Sequence, residues 1–118
     1  MTQMAVRVGH ELNETTIELL AEALPGEQSV DARVRYLLEA ELLRMLGKHR
    51  RVNAALVKKY RMDFAEFLDR DVVHGQGYTW DVERDSMAWE VAIGGIESTE
   101  ARLRELKTHA GADATHAS

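Results

Sequence analysis

Met4-Ala5-Val6-Arg7-Val8 is the stretch on which the fold turns: Met4, Val6 and Val8 alternate with Gln3, Ala5 and Arg7, the period-two pattern of a half-buried β-strand. No second strand pattern follows nearby. A lone strand exposes a row of unpaired backbone donors and acceptors, and even an isolated two-stranded hairpin is marginal in water. The economical solution is pairing with the same strand of a second copy, so the pattern predicts a homodimer joined by an intermolecular ribbon.

Beyond Gly9 the period changes to that of helices. Leu12, Ile17, Leu20, Ala21 and Leu24 mark one face of a first helix, which the chain's only proline, in Pro25-Gly26, stops. A second helix carries Val34, Leu37, Leu38, Leu42 and Met45 at intervals of three and four. Ser29 and Asp31 are both eligible to cap it, since either side chain accepts bonds from free amides of the first turn. The seam Leu38, Leu42, Met45, His49, Val52, Leu56 steps by four and three as in a coiled coil. It favours one long helix over about residues 30–60, with a soft point at Gly47, where glycine costs about 1 kcal/mol against alanine.

Asp63-Phe64-Ala65-Glu66 has the capping-box spacing and opens a short helix carrying Phe64, Phe67 and Leu68, which ends in His74-Gly75-Gln76-Gly77. Thr79 then caps a helix with Trp80, Val82, Met87, Trp89, Val91 and Ile93, resumed after Gly94-Gly95 by Ile96, Leu103 and Leu106. Ala88, Val91, Ala92, Gly95, Ile96, Thr99, Leu103 and Leu106 form a stripe of small and apolar residues along it. From Thr108 the periodicity stops, and residues 108–118 are expected to form a flexible tail.

A chain of 118 residues with 45% hydrophobic and 30% charged residues is folded rather than compositionally disordered, and its limited core again favours association. No apolar run approaches the roughly 20 residues that cross a bilayer. There is no export-signal pattern and no cysteine, which points to the cytoplasm and excludes a disulfide framework and thiol chemistry. The net charge of -5 argues against indiscriminate nucleic-acid binding, but its distribution is uneven. Six basic residues and no acid lie between Lys48 and Arg61, whereas ten acids from Met62 to Glu100 are offset only by Arg70 and Arg84. The two bands either answer each other within the chain or present separate surfaces to different partners.

Val6-Arg7-Val8-Gly9-His10-Glu11-Leu12 resembles the strand and first turn of the ribbon-helix-helix family of dimeric DNA-binding proteins. Asp31-Ala32-Arg33-Val34-Arg35-Tyr36-Leu37-Leu38 resembles its second helix. The likeness covers residues 3–46 and departs from the family at Gly9, where proline is frequent, and at Asp31, where serine or threonine is usual. A second likeness lies further on. Lys59-Tyr60-x-Met62-x-Phe64-x-x-Phe67, followed by Trp80-x-Val82-Glu83-x-Asp85-x-x-x-Trp89, looks like a module of small prokaryotic antitoxins of type II toxin-antitoxin pairs.

Together these resemblances imply a mostly α protein with a dimeric ribbon-helix-helix part, one short strand and two helices, at residues 1–46. A helical partner-binding arm would follow at 47–107 and the tail at 108–118. In such a dimer the ribbon enters the major groove, where Gln3 and Arg7 would bond adenine and guanine and Ala5 would add an apolar touch. Ser29 at the helix start, with Arg33, Arg35, Lys48 and Arg50, would hold phosphates. Phe64, Phe67, Trp80, Met87, Trp89 and Val91 would grip a cognate toxin, with Asp81, Glu83, Asp85 and Glu90 answering a basic nuclease surface and raising the association rate. The aromatics have a plainer reading as well, as packing on the long helix. The expected function is an antitoxin that neutralises its toxin and represses its own operon on operator DNA. A homodimeric adaptor without DNA binding is the other reading.

Catalysis finds little footing. His10, His49, His74, His109 and His116 are scattered, with none at i, i+4 spacing. Asp69 with Asp71, and Glu83 with Asp85, sit two apart and diverge on a helix. Gly75-Gln76-Gly77 has neither a preceding strand nor a following lysine, so it reads as a turn and not a phosphate loop. No enzyme activity, cofactor or metal is expected.

Overall fold

The computed structural model describes residues 12–26 and 29–117, with side chains up to His109. Five helices follow one another: α1 (Glu14–Ala23), α2 (Val30–Tyr60), α3 (Phe64–Asp69), α4 (Val72–Gly75) and α5 (Trp80–Ala117). Among the described residues every regular element is helical and none is a strand.

That corrects the predicted fold class. A ribbon-helix-helix fold needs a strand in the sheet it shares with its partner, and Met4–Val8, together with the turn into α1, lies outside the described residues. The second helix continues beyond the 1–46 part, as the long seam over about residues 30–60 predicts. α2 runs unbroken for 31 residues, because the seam from Leu42 to Leu56 continues past Gly47 and is closed by α5 of the same chain. From Leu42 onward the chain is a helical hairpin with a short helical insert at its turn.

The chain divides into two compact units, up to Glu41 and from Leu42 onward. In the first, Asn13 caps α1 by accepting from the Thr15 amide at 2.8 Å. The helix ends before Pro25, as a residue preceding proline is pushed out of the helical region. Ser29, not Asp31, caps α2: its Oγ accepts from the Ala32 amide at 3.0 Å. Asp31 instead pairs one turn on with Arg35 at 2.5 Å. No described residue of this unit is buried.

The second unit holds the core. Leu56, Phe67, Val82 and Trp89 form one cluster, with Val52, Tyr60, Met62, Phe64, Val72 and Ile93 packed against it. Leu42, Leu46 and Leu103 form another, with Met45, Ile96 and Leu106. Between the clusters α2 and α5 meet over small side chains. Ala92 is buried, and a Cβ added at Gly95 would lie 2.4–2.6 Å from three atoms of the His49 ring. Asp63 caps α3 from the Glu66 amide at 2.9 Å, the capping-box position expected from the sequence. The turn into α5 uses two successive left-handed residues, Gly77 at φ 72° and Tyr78 at φ 55°. Glycine reaches that region freely and tyrosine does not. α5 continues to Ala117, through the segment expected to be a flexible tail.

Candidate functional site: the exposed face of the second unit

Trp89 is the centre of the second unit and is fully buried. Its ring lies 5.0 Å from Phe67, 5.4 Å from Phe64 and 5.8 Å from Tyr60. Its indole N–H donates to Asn53 Oδ1 at 2.8 Å, so the polar edge of a buried aromatic is satisfied. Phe67 is 1% exposed. Phe64, Phe67 and Trp89 are therefore core residues, and the plainer reading of the aromatics applies to these three.

Trp80, Met87 and Val91 point elsewhere. They are 64%, 55% and 66% exposed, at steps of seven and four along α5, on the side away from Val82, Trp89 and Ala92. A helix whose one face is filled with core and whose other face shows a tryptophan and two aliphatics carries more apolar surface than its own hairpin covers. Two shallow cavities, each of about 420 Å³, flank Met87. The first is bordered by Val73, Trp80, Glu83 and Ser86, and the second by Lys48, His49, Val52, Arg84, Ala88, Val91 and Ala92.

The charge bands answer each other inside the chain at two places. Lys59 donates to Asp85 at 2.6 Å and Arg50 to Glu100 at 2.8 Å. Tyr60 donates to the same Asp85 oxygen at 2.7 Å. Burial foremost, and then the bond to Asp85, push the Tyr60 phenol up to about 12. Burial alone would raise the Asp85 carboxyl, but the bonds from Lys59 and Tyr60 outweigh it and hold the group below its usual range. Asp81 pairs with Arg84, whose guanidinium lies 5.9 Å from the Trp80 ring. Of the four acids expected to meet a basic partner, Asp81 and Asp85 are thus engaged within the chain; Glu83 borders the first cavity and Glu90 is exposed.

The residues expected at DNA fall partly outside the described residues and, within them, in two different units. Gln3, Ala5 and Arg7 lie outside the described residues. Ser29 spends its hydroxyl on the α2 cap, Arg33 Nε donates to the Leu24 carbonyl at 3.2 Å, and Arg35 holds Asp31. Lys48 and Arg50 belong to the other unit, Lys48 at the second cavity and Arg50 paired with Glu100. Reading the sequence missed Asn53 as the indole's acceptor and Lys48, Val52 and Ala88 as the walls of a cavity. Each depends on a pairing between segments more than thirty residues apart, for which a single sequence carries no signal.

No protein-family model, curated protein or solved structure matches the chain. Among the described residues no group of three or more His, Asp or Glu is placed to hold a metal ion, and no helix is long and apolar enough to cross a membrane.

Proposed function

We propose that the protein acts by binding another protein, and that its specific role is to neutralise a toxin as the antitoxin of a type II pair. The observation that carries the binding is the exposed pair Trp80 and Met87, 64% and 55% accessible, at the rim of an open cavity in a unit whose core is already filled. Tryptophan is the residue most enriched among energetically dominant interface contacts. The likeness of residues 58–90 to antitoxin modules supplies the toxin as the kind of partner. Operator binding drew on the ribbon, and the described residues give it no element to stand on, so the proposal is confined to protein binding.

Coexpression with the protein encoded by the adjacent reading frame tests it by capture and by growth. Wild type is expected to co-purify with that protein and relieve its toxicity, and Trp80→Ala with Met87→Ala to lose both. Capture without relief of growth arrest would make the protein an adaptor. Capture and relief untouched by the double substitution would place the contact elsewhere.

A further inference from the structure

We propose that α1 of one copy docks into the groove formed by Lys48, Val52, Arg84, Ala88, Val91 and Ala92 of a second copy, and that the exchange is reciprocal. This goes beyond the partner site at Trp80. Two features carry it, an apolar groove with a lysine at its rim and a helix with a row of glutamates beside its apolar residues. The groove has a floor of valine and alanine side chains from α2 and α5, with Val91 two-thirds exposed and Met87 at its border with the Trp80 cavity, and a cationic rim at Lys48 and at Arg84, whose guanidinium also holds Asp81 of its own helix. Lys48 is exposed and forms no ion pair among the described residues. Such a groove selects an amphipathic helix carrying carboxylates along one edge of its apolar face.

α1 is such a helix. Glu14, Glu18 and Glu22 recur every fourth residue, no basic residue occurs in its ten, and Ile17, Leu20 and Ala21 run beside the glutamates. None of its residues is buried: Ile17, Leu20 and Ala21 are half-buried and the three glutamates are exposed. The dimensions agree. Ten residues of helix are about 15 Å long, and the groove from Arg84 to Ala92 rises about 12 Å at 1.5 Å per residue. Each copy carries one such helix and one such groove, so a two-fold pair makes every contact twice and leaves neither feature unfilled. The apolar floor supplies the affinity, and the glutamates against Lys48 and Arg84 fix orientation and register.

Charge exchange between copies tests the proposal by sedimentation equilibrium. Wild type is expected to dimerise, and Lys48→Glu alone or Glu18→Lys alone to weaken the dimer at least tenfold. Both sites are exposed, so helix content by circular dichroism should stay unchanged. An equimolar mixture of the two variants restores complementary charge at both interfaces of the heterodimer and is expected to dimerise like wild type. The chain has no cysteine, so Glu18→Cys in one tagged copy and Lys48→Cys in another should join as a disulfide between copies. A monomeric wild type, variants that dimerise normally, a mixture no tighter than its components, or a disulfide that forms only when both cysteine substitutions sit in one chain would each overturn the proposal. Trp80 does not border this groove, so Trp80→Ala should leave the dimer intact while weakening toxin capture, which separates the two contacts although Met87 borders both cavities.

Discussion

Gly94 and Gly95 are neighbours on α5, and alanine at the two positions should have opposite effects. Replacing glycine inside a helix by alanine gains about 1 kcal/mol from backbone propensity, and that term is common to both. At Gly94 an added Cβ meets nothing within 4 Å. At Gly95 it would stand 2.4 Å from His49 Nε2, 2.5 Å from Cδ2 and 2.6 Å from Cε1. Real atoms do not approach so closely, so the imidazole must swing off the helix or α2 must move away from α5. Overpacking of this kind costs about 1–3 kcal/mol. Gly94→Ala should therefore stabilise by about 1 kcal/mol, and Gly95→Ala should be neutral to destabilising by about 2 kcal/mol after its propensity gain is subtracted. Urea denaturation followed by circular dichroism measures both, and His49→Ala completes the cycle: in that background Gly95→Ala should behave like Gly94→Ala. Equal shifts for the two glycines, or a Gly95→Ala effect indifferent to His49, would show that the helices do not meet over that ring.

Thr99 is fully buried and its Oγ1 has no hydrogen-bond partner, so Thr99→Val, similar in shape and free of the buried hydroxyl, should stabilise by about 1 kcal/mol in the same denaturation assay. Asn53→Ala should cost about 1–3 kcal/mol by orphaning the buried indole N–H of Trp89, whereas Trp80→Ala should change stability by under about 0.5 kcal/mol. Asp85 is held below its ordinary value of 3.8, so its contribution is present above that value and is lost as pH falls through the depressed folded one. Tyr60 is raised from 10.0 to about 12, so its contribution is present below pH 10 and is lost as pH rises through that interval. In a pH series of unfolding midpoints, Tyr60→Phe should remove part of the alkaline loss. A full alkaline loss without the phenol would assign it to other groups.

Local signals in the sequence carried as far as local physics reaches. The Asp63 cap, the stop at Pro25 and the unbroken helix across Gly47 follow from side chains acting on backbone a few residues away, and each is legible at that range. The ambiguity between Ser29 and Asp31 was decided by a bond that either could make, because Asp31 finds Arg35 one turn on. Which surface closes the Leu42–Leu56 seam was not legible. A seam records that something apolar covers it, and a ribbon dimer and an intramolecular hairpin leave the same imprint on α2. The hairpin was identifiable only through matches such as Asn53 with Trp89 and His49 with Gly95, which are complementary in shape and polarity but not in any repeat.

The most distinctive residues of the chain and the exposed residues proposed to bind a partner are different sets. Tyr60, Met62, Phe64, Phe67, Val82 and Trp89, which gave the second half its recognisable pattern, fill one cluster, and Asp85 with Lys59 ties the ends of α2 and α5 beside it. Their co-occurrence has a sufficient cause in packing, since losing any one leaves a void or an unpaired charge at a cluster built on only four buried apolar residues. A motif with that cause marks a fold, and which of its residues touch a partner is read from the exposed ones. What packing does not account for is the remainder of the same segment, Trp80 and Glu83 at one cavity and Met87 between the two. A tryptophan 64% exposed finds only the Arg84 guanidinium beside its ring, so the case for a protein partner at this face rests on these residues, and variants at Trp80 are more informative about function than variants at Trp89, which would disrupt the core of the hairpin.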